Sequence, residues 1–294
     1  MNNKPKILIQ FDCDQHPSVF DSVVAIDSGV DHLLQYGQVE PVDVRELVYG
    51  AMFTRSDQSR KNTAIFIGGS KVNSAEQVLR SVVDCFFGSV RVSVMLDANG
   101  ANTTAAAAVL RLQRHIPLQG ATVGILAATG SVGRRIARIM ASQGATVRVS
   151  SRSLERATKL CNRIKSKDES YKVVPFETDG PNAFAELTDG CDAIISAGAA
   201  SIRLLKREQW TALDSLKVAI DLNAVPPTGL EGIEPHDAAK EVDGITVYGA
   251  IGVGNLKMKI HKQSIRRLFQ TNDLVLDLDE IFAIGQEIER DLAT

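Results

Sequence analysis

Residues 122–140 read TVGILAATGSVGRRIARIM. The apolar, β-branched run that ends at Ala127 predicts a buried strand, and an amphipathic pattern predicts a helix over about 132–142. Gly130 and Gly133 lie in the turn between them. This order of strand, glycine turn and helix is typical of the phosphate-binding corner of a dinucleotide-binding fold. We expect Gly130 to admit a pyrophosphate, Gly133 to let the helix pack close to the strand, and the helix N-terminus to present N–H groups to the phosphates.

The glycine pattern departs from the usual one at a single position, because Ala128 occupies the place of the first glycine. Strand–glycine–helix turns also occur in proteins that bind no nucleotide, so this turn alone leaves nucleotide binding open. If a nucleotide binds, five consecutive residues are expected to contact it: Thr129, Gly130, Ser131, Val132 and Gly133.

The end of the next strand indicates which nucleotide binds. In an NAD site, an Asp or Glu about 20 residues after the turn accepts hydrogen bonds from the ribose hydroxyls. Here the strand 145–150 is followed by Ser151 and Arg152, with Arg156 one helical turn further on, and no carboxylate lies at the strand tip. Hydroxyl and guanidinium groups suit a 2′-phosphate, so the prediction is NADP. The alternative is that the two arginines form only a solvated helix face.

Two later strand ends complete the predicted cofactor site. Residues 196–200 read SAGAA after a buried strand, which leaves room for a flat nicotinamide ring near the backbone. Ala197 is predicted to contact the cofactor there. Asn223, which follows the strand ending at Asp221, is the other predicted contact.

Composition limits the class of protein. The 294 residues are 44% hydrophobic and 23% charged, with a net charge of -2. These values indicate a soluble globular protein of one or two domains, and the missing basic excess argues against nucleic-acid binding. The scattered cysteines have no metal-ligand spacing and predict free thiols in a reducing compartment. Because the N-terminal apolar run is far shorter than a signal peptide or membrane span, we expect a cytoplasmic protein that does not associate with membranes.

Strand and helix patterns alternate along the chain, which predicts an α/β protein with mostly parallel sheets. A break near residue 115 divides a smaller N-terminal α/β domain, 1–115, from a Rossmann-like domain, 116–271, with a ligand cleft between them. A C-terminal helix, about 272–294, is expected to be able to pack back on the first domain. Within the first domain, residues 31–36 are predicted to be helical.

Polar side chains follow two strands of the first domain. Asp12 and Asp14 end the first strand, where α/β folds place ligand contacts, although helix capping is the alternative. A metal site from these carboxylates and His16 is rejected, since no second ligand cluster supports it. Residues 97–104 read DANGANTT and suit recognition of a polar heterocycle, with capping of the next helix again the alternative. The predicted substrate contacts in this stretch are Asp97, Asn99, Asn102 and Thr103.

Five stretches of the chain carry a resemblance to a known family: residues 10–21, 63–69, 95–107, 221–227 and 249–261. Together they resemble the NADP-dependent methylene-tetrahydromethanopterin dehydrogenases of methylotrophic bacteria, over nearly the whole chain. The resemblance implies oxidation of the methylene bridge of a one-carbon-carrying pterin to the methenyl form, as part of one-carbon metabolism. It also implies a fold like that of methylene-tetrahydrofolate dehydrogenases, a pterin bound between two domains, a tetrahydromethanopterin-type carrier as partner, and a homo-oligomer.

The chemistry of that reaction assigns roles to residues. Loss of hydride from a carbon between two nitrogens leaves a delocalised cation, so no base is needed to remove a proton. Asp97 suits stabilisation of the developing charge or a hydrogen bond to the pterin ring, with the other polar residues of 97–104 orienting that ring. Lys257 is the proposed catalytic lysine and Lys259 a weaker substrate contact, with a plain basic helix face as the alternative.

Three other functions remain open from the sequence. A methylene-tetrahydrofolate dehydrogenase would use the same reacting ring. A shikimate-type NADP dehydrogenase would need a catalytic lysine and aspartate in the first domain, and neither Lys61 nor Lys71 stands in a matching motif. A non-enzymatic redox sensor that binds NADP would have little use for the second ligand-shaped stretch at 97–104.

Overall fold

The structure is a computed structural model, which describes residues 4–179 and 183–293. Contacts divide the chain into two compact units. Unit 1 comprises the chain up to Thr103 and again from Met258, and unit 2 is Thr104–Lys257. Both divisions fall inside helices, α5 (Ala101–Gln113) and α10 (Ala250–Arg267), whereas the sequence placed its domain boundaries after these helices, near residues 115 and 271.

Within the described residues, unit 1 is built on a five-stranded parallel sheet in the order β12-β4-β3-β1-β2. Its strands are β1 (Ile7–Asp12), β2 (His32–Tyr36), β3 (Thr63–Gly68), β4 (Ser93–Leu96) and β12 (Val275–Leu276). The central strands β3 and β4 are buried along their whole length, because a parallel sheet is covered on both faces. The covering helices are α1 (Val19–Asp27), α2 (Val44–Phe53), α3 (Asp57–Arg60), α4 (Val72–Asp84) and α11 (Leu278–Ala293).

Two features of this sheet differ from the sequence predictions. The prediction of a helix over 31–36 was wrong, since these residues form the edge strand β2, which pairs with β1 in parallel register from Ile7 to Phe11. The segment before the C-terminal helix adds the strand β12, with Val275 opposite Val94 and Leu276 opposite Met95. The end of the chain therefore supplies one edge of the sheet of unit 1.

The sheet of unit 2 has the strand order β10-β11-β9-β8-β5-β6-β7. In the described residues its parallel strands are β5 (Thr122–Leu126), β6 (Thr146–Ser151), β7 (Val173–Glu177), β8 (Ala193–Ser196), β9 (Val218–Asp221) and β11 (Ile245–Tyr248), with β10 (Ala238–Val242) antiparallel at the edge. Numbered from β5 and leaving β10 aside, this is the 3-2-1-4-5-6 order of the Rossmann fold, which confirms the predicted class. The order reverses between β5 and β8, where such folds bind ligands.

Four helices connect successive strands from β5 to β9 in the described part of unit 2. They are α6 (Ser131–Ser142), α7 (Leu154–Lys165), α8 (Ala183–Thr188) and α9 (Arg207–Thr211). The pattern of residues 181–187 also predicts a short helix, which corresponds to α8, and residues 181 and 182 lie outside the described part. The buried Trp210 of α9 donates from its indole nitrogen to the carbonyl of Glu231 at 3.0 Å, which satisfies its one polar atom inside an apolar cluster.

Residues 4–179 and 183–293 contain neither a membrane-spanning helix nor a metal-binding cluster. No helix in these ranges combines the length and apolar character needed to cross a bilayer. The same residues contain no group of three or more His, Cys, Asp or Glu side chains arranged to hold a metal ion.

Candidate functional site

The glycine turn, residues 127–133, connects β5 to α6 at the point where the strand order reverses. The backbone N–H groups of Ala127 and Ala128 donate to the hydroxyl and carbonyl oxygens of Ser150, at 3.0 and 2.9 Å, which ties the turn to β6. The positive φ of the turn, 54°, lies at Ala127. An alanine is therefore tolerated at position 128, where the usual pattern has glycine.

Gly133 lies so close to the turn that no side chain fits. A Cβ atom at this position would lie 2.7 Å from the carbonyl oxygen of Ala128, closer than real Cβ atoms approach such a group. The helix α6 can approach the end of β5 only because residue 133 is glycine. The predicted packing role of Gly133 is confirmed.

Gly130 lies in open surroundings, in contrast to Gly133. A Cβ atom there would meet only the carbonyl oxygens of Ala127 and Ala197, both at an ordinary 3.8 Å. Gly130 is exposed, and its neighbours Thr129 and Ser131 are half-buried. Since α6 begins at Ser131 with no side chain capping it, its first N–H groups and dipole suit a phosphate.

Of the other predicted contacts in unit 2, the turn residue Val132 is half-buried, and Ala197 lies across from Gly130 at the end of β8. The structure thus brings the turn residues and Ala197 together at one edge of the sheet. Asn223 is different, because its side chain is buried and accepts from the N–H of Val225 at 3.0 Å while donating to the carbonyl of Pro227 at 3.2 Å. It holds the loop after β9 in shape.

The sequence reasoning missed Asp221, which lies at the end of β9 just before that loop. Its oxygens accept from the N–H groups of Asn223 at 3.1 Å and Leu230 at 2.8 Å. Burial raises the pKa of this carboxyl above its ordinary value. Asp221 therefore joins the two ends of the loop at the carboxyl edge of the sheet.

The end of β6 carries the residues predicted to select NADP. Ser151 is buried, while Arg152 and Arg156 are exposed. The hydroxyl of Ser153 caps α7 by accepting from the N–H of Arg156 at 3.4 Å. This cap places Arg156 in the first turn of α7, close to the strand tip.

A pocket of about 300 Å³ lies between the glycine turn and α7. Arg134 was not predicted as a site residue, and it lines the pocket from the first turn of α6. Its signal in the sequence was its place directly after Gly133. The spacing of three to four residues along α7 brings further cations to the same side. The lining residues are Thr129, Arg134, Arg156, Lys159, Leu160 and Arg163.

In unit 1, the two predicted carboxylates after β1 hold the turns at the carboxyl ends of β1 and β3. Asp12 is buried, and its oxygens accept from the N–H groups of Asp14 at 2.9 Å and Ser18 at 3.0 Å. The half-buried Asp14 accepts from the N–H of Ser70 at 2.7 Å and from its hydroxyl at 2.9 Å. Asp12 thus shapes the start of α1, and Asp14 links the turns after β1 and β3.

The Asp97 segment, residues 97–103, follows β4 at the same edge of the sheet. One carboxylate oxygen of Asp97 accepts from the N–H groups of Asn102 and Thr103, each at 3.0 Å, and the other accepts from the hydroxyl of Thr103 at 2.6 Å. The side chain has no exposed surface. The predicted hydrogen bond from Asp97 to a pterin ring is therefore corrected, because both oxygens cap the first turn of α5.

The other predicted residues of this segment divide into buried and exposed. Thr103 is fully buried, and Asn102 donates to the carbonyl of Leu96 at 2.7 Å and to Asp277 at 2.9 Å, so both have structural roles. Asn99 is exposed and adopts the left-handed conformation, with φ 54°. Among the predicted polar contacts in the Asp97 segment, Asn99 has the accessible side chain.

The two predicted lysines lie on α10. Lys257 is half-buried and Lys259 is exposed. Residues two apart on a helix point about 200° away from each other, so the two ammonium groups lie on different sides of α10. A ligand bound on one side of α10 could therefore contact only one of these two lysines.

Comparison with known proteins gives two relatives that cover almost the whole chain, both from Methylorubrum extorquens. One, the bifunctional protein MdtA, is 39% identical over 285 residues, covering 96% of this chain and 99% of that protein. The other, an NAD(P)-dependent methylenetetrahydromethanopterin dehydrogenase, is 32% identical over 286 residues, covering 93% and 95%. The family model for the N-terminal part of methylene-tetrahydromethanopterin dehydrogenase matches residues 19–99. The chain belongs to the methylene-tetrahydromethanopterin dehydrogenase family.

The likeness to other dehydrogenases concerns the fold. The family model for shikimate/quinate 5-dehydrogenase matches residues 110–247, most of unit 2. A solved 5-ketofructose reductase from Gluconobacter is 16% identical, with a TM-score of 0.52 and 97% and 99% of the two chains covered. A chorismate mutase/shikimate 5-dehydrogenase fusion protein from Clostridium acetobutylicum is 11% identical, with a TM-score of 0.51 and coverage of 99% and 100%. This member of the methylene-tetrahydromethanopterin dehydrogenase family thus shares its fold with dehydrogenases that act on other substrates.

Proposed function

We propose that this protein transfers hydride from a methylene-tetrahydromethanopterin-type carrier to NADP, giving the methenyl carrier, in one-carbon metabolism. The proposal is carried by the family membership, since a relative named for this reaction aligns with 93% of the chain. The two units divide the work. The glycine turn and the end of β6, in unit 2, are the proposed cofactor site, and the carboxyl edge of the sheet in unit 1 is the proposed carrier site.

The proposed preference for NADP rests on charge. At the tip of β6, where an NAD site has a carboxylate, this chain has Ser151 and Arg152. Arg156 and Arg134 line the adjacent pocket, so the surroundings favour a dianionic 2′-phosphate. The pyrophosphate is proposed to lie at Gly130 and the N-terminus of α6.

The reaction does not require the protein to remove a proton from the carrier. Hydride leaves as a pair of electrons with one proton from a carbon flanked by two nitrogens, and the resulting positive charge is shared between them. The protein must orient the carrier and tolerate this charge. We assign the exposed amide of Asn99 to orientation of the pterin ring. The buried carboxylate of Asp97 is proposed to stabilise the positive charge that develops on the carrier.

Lys257 stays the proposed catalytic lysine, with Lys259 as the alternative. A protonated lysine beside the product would oppose the developing cation, so the lysine is proposed to contact the carrier at a distance from the reacting carbon. The partial burial of Lys257 is what favours it over the exposed Lys259.

A homo-oligomer and a cytoplasmic location form part of the proposal. The helix α1 exposes apolar side chains on one side, with Val19 76%, Phe20 50%, Val23 55% and Ile26 53% exposed, and a second copy of the chain would cover them. The free cysteines suit a reducing compartment. Burial raises the pKa of the Cys161 thiol to about 11, which keeps it protonated and unreactive at neutral pH.

A spectrophotometric assay that crosses two carriers with two nucleotides tests the proposal. The purified protein is mixed with methylene-tetrahydromethanopterin or methylene-tetrahydrofolate, and with NADP or NAD. We expect reduction of NADP with the methanopterin carrier to be the fastest combination. Reduction with methylene-tetrahydrofolate alone would replace the proposed carrier.

The match of unit 2 to the shikimate/quinate model supports a second candidate, an NADP dehydrogenase of a shikimate-type substrate. The match concerns residues of the cofactor unit, and both Lys61 and Lys71 are exposed in the other unit. NADP reduction with shikimate in the same assay, at a rate above that with either carrier, would establish this second function.

A further inference from the structure

His261 lies in the interior of unit 1, on the part of α10 that follows Met258. Its side chain has no exposed surface, and its ring stacks on that of Phe66 in β3, with 5.6 Å between centroids and 23° between planes. A polar ring of this kind is costly to bury unless its nitrogen atoms meet partners. None of the roles proposed above uses it.

The carboxylate of Asp97 lies beside this ring. The Nδ1 atom of His261 is 3.6 Å from the Oδ2 atom of Asp97, so the two buried polar groups are in contact. The hydroxyl of Thr103 donates to the same Oδ2 atom at 2.6 Å. The Oδ1 atom accepts from the backbone N–H groups of Asn102 and Thr103 in the first turn of α5. The imidazole thus lies against the carboxylate oxygen that also accepts from Thr103, and buried polar groups of this kind are stable only when they meet such partners.

The carboxylate in turn fixes the shape of the Asp97 segment. Its bonds to Asn102 and Thr103 hold the far end of the segment, and the N–H of Gly100 donates to the carbonyl of Asp97 at 2.9 Å. Between these anchors, Asn99 and Gly100 both adopt positive φ, 54° and 59°. The orientation of the exposed Asn99 amide therefore depends on where the carboxylate lies.

We propose that His261 is a positioning residue for the carrier: its imidazole fixes the buried Asp97 carboxylate, and through it the segment that presents Asn99. The inference rests on the proposed function for the identity of the carrier. It does not depend on the cofactor site, since every residue in this chain of contacts belongs to unit 1.

Two variants separate the polar contact of the ring nitrogen from the packing of the ring. His261→Phe keeps an aromatic ring to stack on Phe66 and removes Nδ1. His261→Asn returns an N–H donor close to the place of Nδ1 with a smaller side chain. Ser264→Ala is the matched control, because Ser264 is a fully buried polar residue one turn further along α10 and has no part in the proposed sites.

The first measurement is steady-state kinetics with the methylene carrier and NADP. We expect His261→Phe to raise KM for the carrier about tenfold, as for loss of a buried polar contact, and to leave KM for NADP within twofold. His261→Asn is expected to recover most of this loss, and Ser264→Ala to leave both constants unchanged. Equal KM values for His261→Phe and the parent protein, or an equal rise in both Michaelis constants, would overturn the proposal.

The second measurement is hydrogen–deuterium exchange, which needs no activity. In His261→Phe the peptide covering 97–103 is expected to exchange faster than in the parent, and the peptide covering α6 to exchange at the parental rate. Unchanged exchange in 97–103 would show that His261 does not hold the segment. If the parent protein fails to oxidise the carrier, the proposed function falls, and the exchange experiment still decides the role of His261.

Discussion

The glycine turn of unit 2 and the Asp97 segment of unit 1 occupy equivalent places, each after a central parallel strand and before a helix. At the glycine turn Gly130 lies in open surroundings and no side chain caps α6, so the backbone N–H groups there can carry out the proposed binding. At the Asp97 segment most of the predicted contacts are buried, because the carboxylate caps α5 itself. The same position in the fold therefore leaves the helix N-terminus available in one unit and occupied in the other.

The largest expected effect comes from filling the space at Gly133. In Gly133→Val the new side chain would collide with the backbone of Ala128, so α6 must shift. We expect a loss of roughly 3 kcal/mol of stability and no measurable NADP binding. Thermal unfolding and titration calorimetry are the measurements.

Gly130→Ala is the matched control, because a Cβ there meets atoms only at ordinary distances. This variant should unfold within a few degrees of the parent and still bind NADP less tightly. Equal destabilisation of both variants would remove the distinction between a packing glycine and a ligand-facing glycine.

The next effect separates capping from recognition in the Asp97 segment. Asp97→Asn exchanges one acceptor oxygen for a donor in a fully buried cap, and we expect a loss of about 2–3 kcal/mol of stability in urea unfolding. Asn99→Ala changes an exposed side chain, so its stability should stay within about 0.5 kcal/mol. Its KM for the carrier should nevertheless rise. The reverse pattern, with Asn99→Ala the less stable protein, would contradict the division into cap and contact.

Most of this architecture is accessible to sequence reasoning, and the exceptions have a common cause. The strand and helix periods of unit 2 are regular and local, so its Rossmann order follows from them. The strand β2 has five residues at a sheet edge, too few to show a period, and β12 joins a strand about 180 residues earlier in the chain. Contacts between such distant residues leave no local pattern.

The candidate site residues were also only partly predictable from the sequence. Asp, Asn and Thr serve equally as helix caps and as ligand contacts, so the stretch 97–104 could not show which of its side chains would be buried. The glycine turn was predictable because its requirement for glycine is a property of neighbouring backbone. The approach of His261 to Asp97 depends on the packing of α10 against β3, where His261 stacks on Phe66, and no spacing in the sequence reveals it.

A smaller effect concerns the selectivity of unit 2. Arg152→Ala and Arg156→Ala should each weaken NADPH binding by about tenfold or more while changing NADH binding little, because only NADPH carries the 2′-phosphate. Fluorescence titration with both nucleotides gives the ratio. Lys165→Ala, an exposed cation in the last turn of α7, is the control for general loss of charge. An equal loss of affinity for both nucleotides would mean that the arginines do not contact the 2′-phosphate and form only a solvated helix face.

The smallest expected effect is a pH dependence from Asp221. Because its folded pKa is raised, the folded protein holds a proton on this carboxyl at pH values where the unfolded chain has released it. The contribution of Asp221 to stability therefore falls as pH rises from the unfolded pKa, about 3.9, through the raised folded pKa. Urea unfolding of the parent and Asp221→Asn between pH 4 and 7 should show the parent's advantage shrinking with pH. A constant difference would mean that the carboxyl titrates alike in both states.

The strand β12 has a consequence for how the protein is made. Unit 1 contains β1 and is completed by residues 275 and 276, which pair with Val94 and Met95 about 180 residues earlier. Until residues 275 and 276 are synthesised, β4 has an open edge, and a nascent chain with such an edge is prone to wrong pairing or chaperone capture. Unit 2 is continuous, so it has its whole sequence available earlier. Synthesis thus favours an order in which unit 2 folds first and the sheet of unit 1 is completed afterwards.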